Sequence, residues 1–385
     1  MLAHSPPLPL VIDYKSRVIT AKDEEGIILA LKQRDRVCRI RLRISVTSPQ
    51  KLIVAMDEEY PILEFLRMGL RMKDVDGISI FHETLQAPHL RHLSLRGFSL
   101  PIGSRLLTTA VGLVTLDLHM VHPSTYFHPN TLLQWISHMP QLEMLALSFK
   151  SPIPNRDVER QLTHTPIIAP VTLPNLHHFR FHGLSTYLEA LVHQITTPRL
   201  KKLRIEFFNR LRYSVPRLLQ FMNTIESHRS DGAIFNFSGE SVQVVFYLHD
   251  GVFKYPFATI TAFCWHLDWQ VSSAVQISNS LSQIFSTVEV LTFRHEKHGR
   301  SSEEHNEVDR TEWRNLLRPF RNVKTLRIDN GLVKDLSRCL QLEDGELSLD
   351  LLPELQGLAC DAGDAFTSFI DARQNAGRPV TVFRL

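Results

Sequence analysis

Cysteine is scarce in this chain of 385 residues, and the four that occur are far apart, with no Cys-x-x-Cys pair. Structural zinc sites use paired ligands at short spacing, so the sequence gives little support for one. Free, mostly buried thiols in a reducing compartment explain the cysteines better. We therefore expect no metal site.

Long apolar runs are also missing. No stretch approaches the roughly 18 residues that a membrane-spanning helix needs. The first residues, MLAHSPPLPLVIDYK, lack the basic start and apolar run of a signal peptide. We expect an intracellular protein, cytoplasmic or nuclear or both, with no membrane partner.

A large excess of one charge is absent, because 43 Lys and Arg stand against 40 Asp and Glu. This balance gives no reason to expect nucleic acid as a partner. Nucleotide and nucleophile motifs are missing too: there is no P-loop, no GxGxxG after a strand and no GxSxG elbow. The 19 histidines show neither zincin spacing nor a carboxylate at fixed distance. We expect no enzyme and no cofactor.

What the chain does contain is a repeat. The pattern apolar-x-x-apolar-x-apolar occurs ten times, and most copies have a proline two positions earlier, where a turn leads into a strand. The first apolar residues are Val37, Leu63, Leu90, Leu113, Leu142, Leu176, Leu200, Val288, Val323 and Leu355. Two weaker copies, Ile234–Phe237 and Ile260–Trp265, divide the long gap and place Trp265 at a core position. The end of each copy alternates like a half-buried strand.

Stripes with helical spacing lie between the copies, for example Leu132, Trp135, Ile136 and Met139. One strand and one helix cannot bury their apolar faces alone, so neighbouring repeats must stack. The sequence predicts an α/β fold: an irregular leucine-rich-repeat-like solenoid with parallel strands on its concave face and helices on its convex face.

This prediction divides the chain into three parts. Residues 1–35 form a lead-in or cap, residues 36–360 the solenoid, and residues 361–385 a C-terminal cap. Within the solenoid we expect an inserted hairpin at about 231–258 and an exposed loop at about 295–310, since the latter run is polar and lacks apolar periodicity.

Several segments carry a family resemblance that extends over essentially the whole chain. SPPLPLVIDY, DEEGIILALKQRDRVCRIRLRI, APHLRHLSLRGFSLPIGSRLLTTAVGLVTLDL and SFIDARQNAGRPVTVF resemble the repeat region of fungal F-box-like proteins from mushroom-forming species. The resemblance implies a substrate-recognition region of a cullin–RING ubiquitin ligase subunit. An F-box itself would show Leu-Pro and three short helices before the repeats, and residues 1–35 show no such pattern. The linker subunit of the ligase is therefore an expected partner only if an F-box precedes this sequence.

Strand alternation predicts which side chains face the concave surface, and many of them are basic. This surface suits a protein partner with an acidic segment; the alternative is a solvated sheet face without a partner. Trp269, expected on the loop after a strand, is a possible anchor. The candidate partner-binding residues are Arg41, Arg67, His92, Arg96, His178, Arg180, Lys202, Arg204, Arg294 and Arg327.

Two functions remain open at this point. The first is a protein-interaction scaffold that acts as a substrate receptor for a ubiquitin ligase. The second is a repeat-protein adaptor or regulatory binding module with no connection to ubiquitin.

Overall fold

The structure is a computed structural model that describes residues 8–16, 19–44, 50–70, 79–101, 103–150, 170–208, 215–223, 231–250, 253–296, 308–341 and 350–384. The chain divides into two compact units, Met1–Leu200 and Lys201–Leu385, and each is presented separately below.

The first unit alternates short strands with short helices. Its strands are β1 (Leu10–Lys15), β2 (Val37–Ile44), β3 (Phe65–Leu70), β4 (Ser79–Ile80), β5 (His92–Arg96), β6 (Phe98–Ser99), β7 (Thr115–Val121), β8 (Met144–Phe149), β9 (Val171–Thr172), β10 (His178–Gly183) and β11 (Ile195–Thr196). Its helices are α1 (Ala21–Leu31), α2 (Gln50–Ala55), α3 (Arg105–Thr109), α4 (Pro129–Ser137) and α5 (Ser185–Val192).

Seven of these strands form one parallel sheet in the order β1-β2-β3-β5-β7-β8-β10. Two small parallel pairs, β4 with β6 and β9 with β11, lie outside it. Since parallel neighbours require a crossover connection, the segment between successive strands returns the chain to the same end of the sheet. β1 and α1 supply one such strand and helix within the predicted lead-in.

One face of this sheet is buried. Ile40, Leu66, Leu93, Leu116 and Leu145, which share one row, are at most 1% exposed. The helices contribute apolar residues that are equally inaccessible, including the stripe predicted on α4. The core of the first unit therefore lies between the buried sheet face and the helices, as half-buried strands require.

The second unit begins with strand β12 (Lys202–Phe207) and ends with β19 (Thr381–Phe383). Between them lie β13 (Gly232–Phe237), β14 (Ser241–Asp250), β15 (Phe253–Phe263), β16 (Val290–His295), β17 (Thr325–Ile328) and β18 (Gly357–Ala359). Its helices are α6 (Pro216–Asn223), α7 (Leu267–Ser280), α8 (Ser282–Phe285), α9 (Arg310–Leu317), α10 (Val333–Leu340) and α11 (Thr367–Asn375).

The strands of the second unit follow the order β12-β15-β14-β13-β16-β17-β18-β19. β13, β14 and β15 form an antiparallel meander, and every other neighbouring pair in this order is parallel. The meander lies at the predicted hairpin and extends beyond it to Phe263. Of the predicted exposed loop, residues 297–307 lie outside the described residues.

Both units thus have the α/β architecture with mostly parallel strands that the sequence predicts. The C-terminal segment forms α11 followed by β19, which pairs with β18 in parallel. No helix in the described residues is both long enough and apolar enough to cross a bilayer.

Candidate functional site

Strand register aligns the side chains on the other face of this sheet into three rows, and we call this surface the open face. Each row takes one residue from each of the seven strands of the sheet. The rows are Val11, Arg39, Phe65, His92, Thr115, Met144 and His178; Asp13, Arg41, Arg67, Ser94, Asp117, Ala146 and Arg180; and Lys15, Arg43, Gly69, Arg96, His119, Ser148 and His182.

The open face is strongly basic although the whole chain has a formal charge of only +3. Its three rows contain seven Lys and Arg residues, four His residues and two acidic residues, Asp13 and Asp117. A local excess of one sign raises the concentration of oppositely charged groups near that surface. The open face is therefore the candidate functional site.

Side chains at the β1 end of the open face hold one another in place. The guanidinium of Arg39 lies 4.3 Å from the centre of the Phe65 ring, and that ring lies 5.8 Å from the imidazole of His92. The guanidinium Nη1 of Arg41 is 3.9 Å from a carboxylate oxygen of Asp13. Cation–π contact restricts the rotamers of Arg39, so part of its cationic surface is already oriented.

Hydrogen bonds connect neighbouring strands farther along the open face. Ser94 donates through Oγ to a carboxylate oxygen of Asp117 at 2.9 Å. Nδ1 of His92 lies 3.1 Å from Oγ1 of Thr115, and Nδ1 of His182 lies 3.1 Å from Oγ of Ser148.

His119 lies near the centre of the open face. Burial lowers the pKa of its imidazole, and the nearby cation of Arg96 lowers that pKa further. Arg180 and His182 act in the same direction as Arg96, whereas the carboxylate of Asp117 raises the pKa. His119 is therefore mostly neutral at neutral pH. Its basic neighbours create a positive potential that would attract an anion.

Two residues with left-handed backbone conformation interrupt the regular strands next to Arg96 and His119. Gly97, with φ of 73°, follows Arg96, and its N–H donates to the carbonyl of His119 at 3.0 Å. Met120, with φ of 60°, follows His119 and shifts the β7–β8 register. Because of this bulge, Val121 points to the buried face and is 3% exposed. A non-glycine residue in this conformation is strained, and the strain lies next to His119 on the open face.

The predicted partner-binding residues occupy the two units as follows. Arg41, Arg67, His92, Arg96, His178 and Arg180 all lie on the open face of the first unit, while Lys202, Arg204, Arg294 and Arg327 lie in the second unit. All four in the second unit are exposed. Nε of Arg204 is 2.6 Å from a carboxylate oxygen of Glu206, so an acid of the chain itself already neutralises this arginine.

The second unit has a less basic row. The aligned residues between Arg204 and Ala359 are Thr259, Val245, Ile234, Thr292 and Arg327. Only the two arginines in this row are charged. The basic character predicted for the strands is therefore concentrated in the first unit.

Strand alternation also places three small residues on the open side, and all three are nearly inaccessible to solvent. Ala146, Thr292 and Ala359 are at most 7% exposed, although register places them in line with the arginines. Position in the strand is predicted correctly here, and exposure is not.

The tryptophan predictions are wrong in placement. Trp265 was assigned to the core, but it is 69% exposed, because the buried side of β15 carries Ile260, Ala262 and then Cys264. Trp269 lies in the first turn of α7 and not on a loop. It is 38% exposed and makes an edge contact with the ring of His266.

Ile234 is likewise not a core residue of its repeat copy. It is half-buried on the unburied face of β13, while Phe237 is fully buried. Residues three apart in a strand point to opposite faces, so this copy could not bury both.

Sequence reasoning missed Asp13, Lys15, Phe65 and His119 as members of the open face. A signal for the first two was present, because Val11, Asp13 and Lys15 alternate with buried Ile12. His119 follows Asp117 by two positions and shares its face. The described residues contain no group of three or more His, Cys, Asp or Glu side chains that could hold a metal ion.

Comparison with known proteins finds no related sequence and only a distant structural likeness. No protein-family model matches the chain, and no curated protein matches it. Among solved structures, the chain is similar to the leucine-rich repeat-containing protein LegL7 from Legionella pneumophila, with 11% sequence identity and a TM-score of 0.30 over 96% of this chain and 99% of that one. A likeness this distant does not establish a shared fold.

Proposed function

We propose that this chain is a protein-interaction scaffold whose first unit binds an acidic segment of a partner protein on the open face. The observation that carries this proposal is the alignment of seven Lys and Arg residues in three adjacent rows with two carboxylates. The proposal assigns no catalytic role to the chain.

The spacing of the rows supports recognition of an extended peptide. Neighbouring strands lie about 4.8 Å apart and residues two apart in a strand about 6.6 Å apart. Along β2, where Arg39, Arg41 and Arg43 occupy alternate positions, cations therefore recur at intervals that match alternate side chains of an extended segment. Arginine suits this task because its planar guanidinium binds a carboxylate through two parallel hydrogen bonds.

Two observations give the proposal a narrower form. The repeated strand and helix order supports a leucine-rich-repeat-like solenoid with the open face on its concave side. The resemblance to fungal F-box-like repeat regions supports a substrate receptor for a ubiquitin ligase. Recovery of cullin subunits with the protein purified from its native cells would favour that role. A stable partner recovered without them would favour an adaptor that has no connection to ubiquitin.

Arg43 and Arg67 provide the direct test. Both are exposed, and within the described part of the chain neither forms an ion pair or a hydrogen bond through its side chain, so we expect their replacement to leave the fold intact. We expect Arg43→Glu with Arg67→Glu to weaken binding of a short fluorescent peptide, in which glutamate alternates with glycine and serine, by about tenfold or more.

The matched control is Lys22→Glu with Arg105→Glu. These residues are exposed on α1 and α3, and their replacement changes the net charge by the same amount. We expect fluorescence anisotropy to show nearly unchanged affinity for this control. Equal affinity of the two double variants, or no binding by the unaltered protein, would refute the proposal.

A further inference from the structure

Four basic side chains on β5, β7 and β10 form a distinct part of the open face, which we call the Arg96–His182 cluster. It consists of Arg96, His119, Arg180 and His182. His119 lies next to Arg96 across the β5–β7 pair, and it interacts electrostatically with Arg180 and His182. One acid, Asp117, lies beside His119 on the same strand.

Within this cluster, the intervening strand β8 carries only short side chains. β8 contributes only Ala146 and Ser148 to the open face at this point, and both are at most 5% exposed. Because these side chains are short, they do not separate the longer ones on the flanking strands, and His119 on β7 interacts electrostatically with Arg180 and His182 on β10. Ser148 holds the imidazole of His182 through its hydroxyl at 3.1 Å.

Arg96 has unused hydrogen-bonding capacity. Its Nε is inaccessible to solvent and, among the residues that the structure describes, has no hydrogen-bond partner. A buried donor without a partner is destabilising by about 1–3 kcal/mol. Asp117, the nearest acid on the face, already accepts a hydrogen bond from Ser94.

We infer that the Arg96–His182 cluster is the anchor subsite for one carboxylate of the acidic partner segment, and that it binds more tightly when His119 is protonated. This inference rests on the proposed function. It specifies which part of the open face binds a carboxylate and that binding there strengthens on protonation. Arg96, Arg180 and Asp117 together carry a charge of +1, and protonation of His119 adds one further positive charge.

The direction of the pH effect follows from the surroundings of His119. Arg96 faces it from β5, Arg180 and His182 from β10, Asp117 from its own strand, and β8 contributes the neutral Ser148. Burial and the three basic neighbours lower the pKa of His119 from 6.5, so the free protein accepts this proton only in mildly acidic solution. A bound carboxylate favours the protonated imidazole. By linkage, affinity therefore rises as pH falls through that pKa.

The experiment measures the affinity of the same glutamate peptide at about pH 7.5 and about pH 5.5, a range in which glutamate remains ionised. We expect the unaltered protein to bind about threefold to tenfold more tightly at the lower pH. His119→Gln should remove most of this increase, whereas the control His193→Gln, an exposed residue after α5, should retain it. Arg96→Gln should weaken binding at both pH values, and Arg105→Gln at neither.

A second readout separates recognition from folding. Circular dichroism at both pH values establishes that each variant is folded, and NMR titration of the His119 ring reports its pKa directly. Addition of peptide should raise that pKa in the unaltered protein. An unchanged pKa, or an equal pH effect in His119→Gln, would overturn the inference. If Arg43→Glu with Arg67→Glu still weakens binding in that case, the proposed function stands without this subsite; if the unaltered protein binds no peptide, both fail.

Discussion

Two buried tyrosines differ in what their hydroxyl groups contact. The Tyr60 hydroxyl donates to the carbonyl oxygens of Leu31 at 3.0 Å and Ala55 at 3.3 Å, which connects the ends of α1 and α2. The Tyr187 hydroxyl is buried against aromatic rings and has no hydrogen-bond partner within the described residues. Burial raises the pKa of Tyr60 to about 12, and burial raises the pKa of Tyr187 well above its usual value of 10.

The same one-atom deletion should have opposite effects at these two positions. We expect Tyr60→Phe to lower the free energy of unfolding by about 1 kcal/mol, because two carbonyl groups lose their donor. Tyr187→Phe should leave it unchanged or raise it by up to about 1 kcal/mol, because the hydroxyl is desolvated without compensation. Urea denaturation of both variants measures the difference. A loss at position 187 as large as that at position 60 would contradict this account.

Residue-level predictions succeeded where strand alternation alone decides the outcome. Arg41, Arg67 and Arg180 share one aligned row because the side-chain period of a strand is two and the register is uniform. Pairing of Arg204 with Glu206 was not foreseen, since i and i+2 residues share a face but rotamers decide whether they meet.

At the scale of elements, Gln270 fixes α7 to two strands. Its side-chain amide donates to the carbonyl of Ser238, in the β13–β14 turn, at 2.7 Å and to that of Cys264, just after β15, at 2.9 Å. Gln270 is 1% exposed, so its own amide is shielded from water and relies on these two carbonyl groups. The meander and the following helix are thereby connected through one side chain.

We expect Gln270→Met to lower the free energy of unfolding by about 1–3 kcal/mol, because the substitution keeps the length of the side chain and removes both hydrogen bonds. Gln220→Met is the matched control: Gln220 is exposed on α6, and the expected change is within about 0.5 kcal/mol. Thermal or urea unfolding compares the two. Similar stability of the two variants would show that the amide does not hold the elements together.

Element boundaries were predictable where apolar spacing is strong, as in α4 and α10, and less so in the meander. β14 and β15 are antiparallel neighbours, whereas the repeat pattern assumes one parallel strand per copy. The weak copy ending at Trp265 failed for this reason: β15 buries its even-numbered residues from Ala258 to Ala262, and the strand ends before Trp265. The direction and the end of a strand depend on pairing partners that are distant in sequence, so the local apolar periodicity does not predict them.

Across the whole molecule, charge is unevenly distributed rather than abundant. The formal net charge is +3, yet the open face alone carries seven Lys and Arg residues against two Asp residues. Composition could not reveal this, because the excess arises only when the strands are placed in register. The rest of the chain compensates for that excess. The proposed attraction of an acidic partner would therefore be a property of one surface and not of the net charge.

Salt distinguishes these two sources of attraction. The screening length falls from about 10 Å at 0.1 M salt to about 3 Å at 1 M, so the field of an array of exposed cations is lost over this range. We expect the association rate of the glutamate peptide, measured by stopped-flow fluorescence, to fall by about tenfold or more between these concentrations, with a smaller change in the dissociation rate. Arg43→Glu with Arg67→Glu should flatten this dependence, and Lys22→Glu with Arg105→Glu should preserve it. Equal flattening by both pairs would mean that net charge, and not the aligned rows, attracts the peptide.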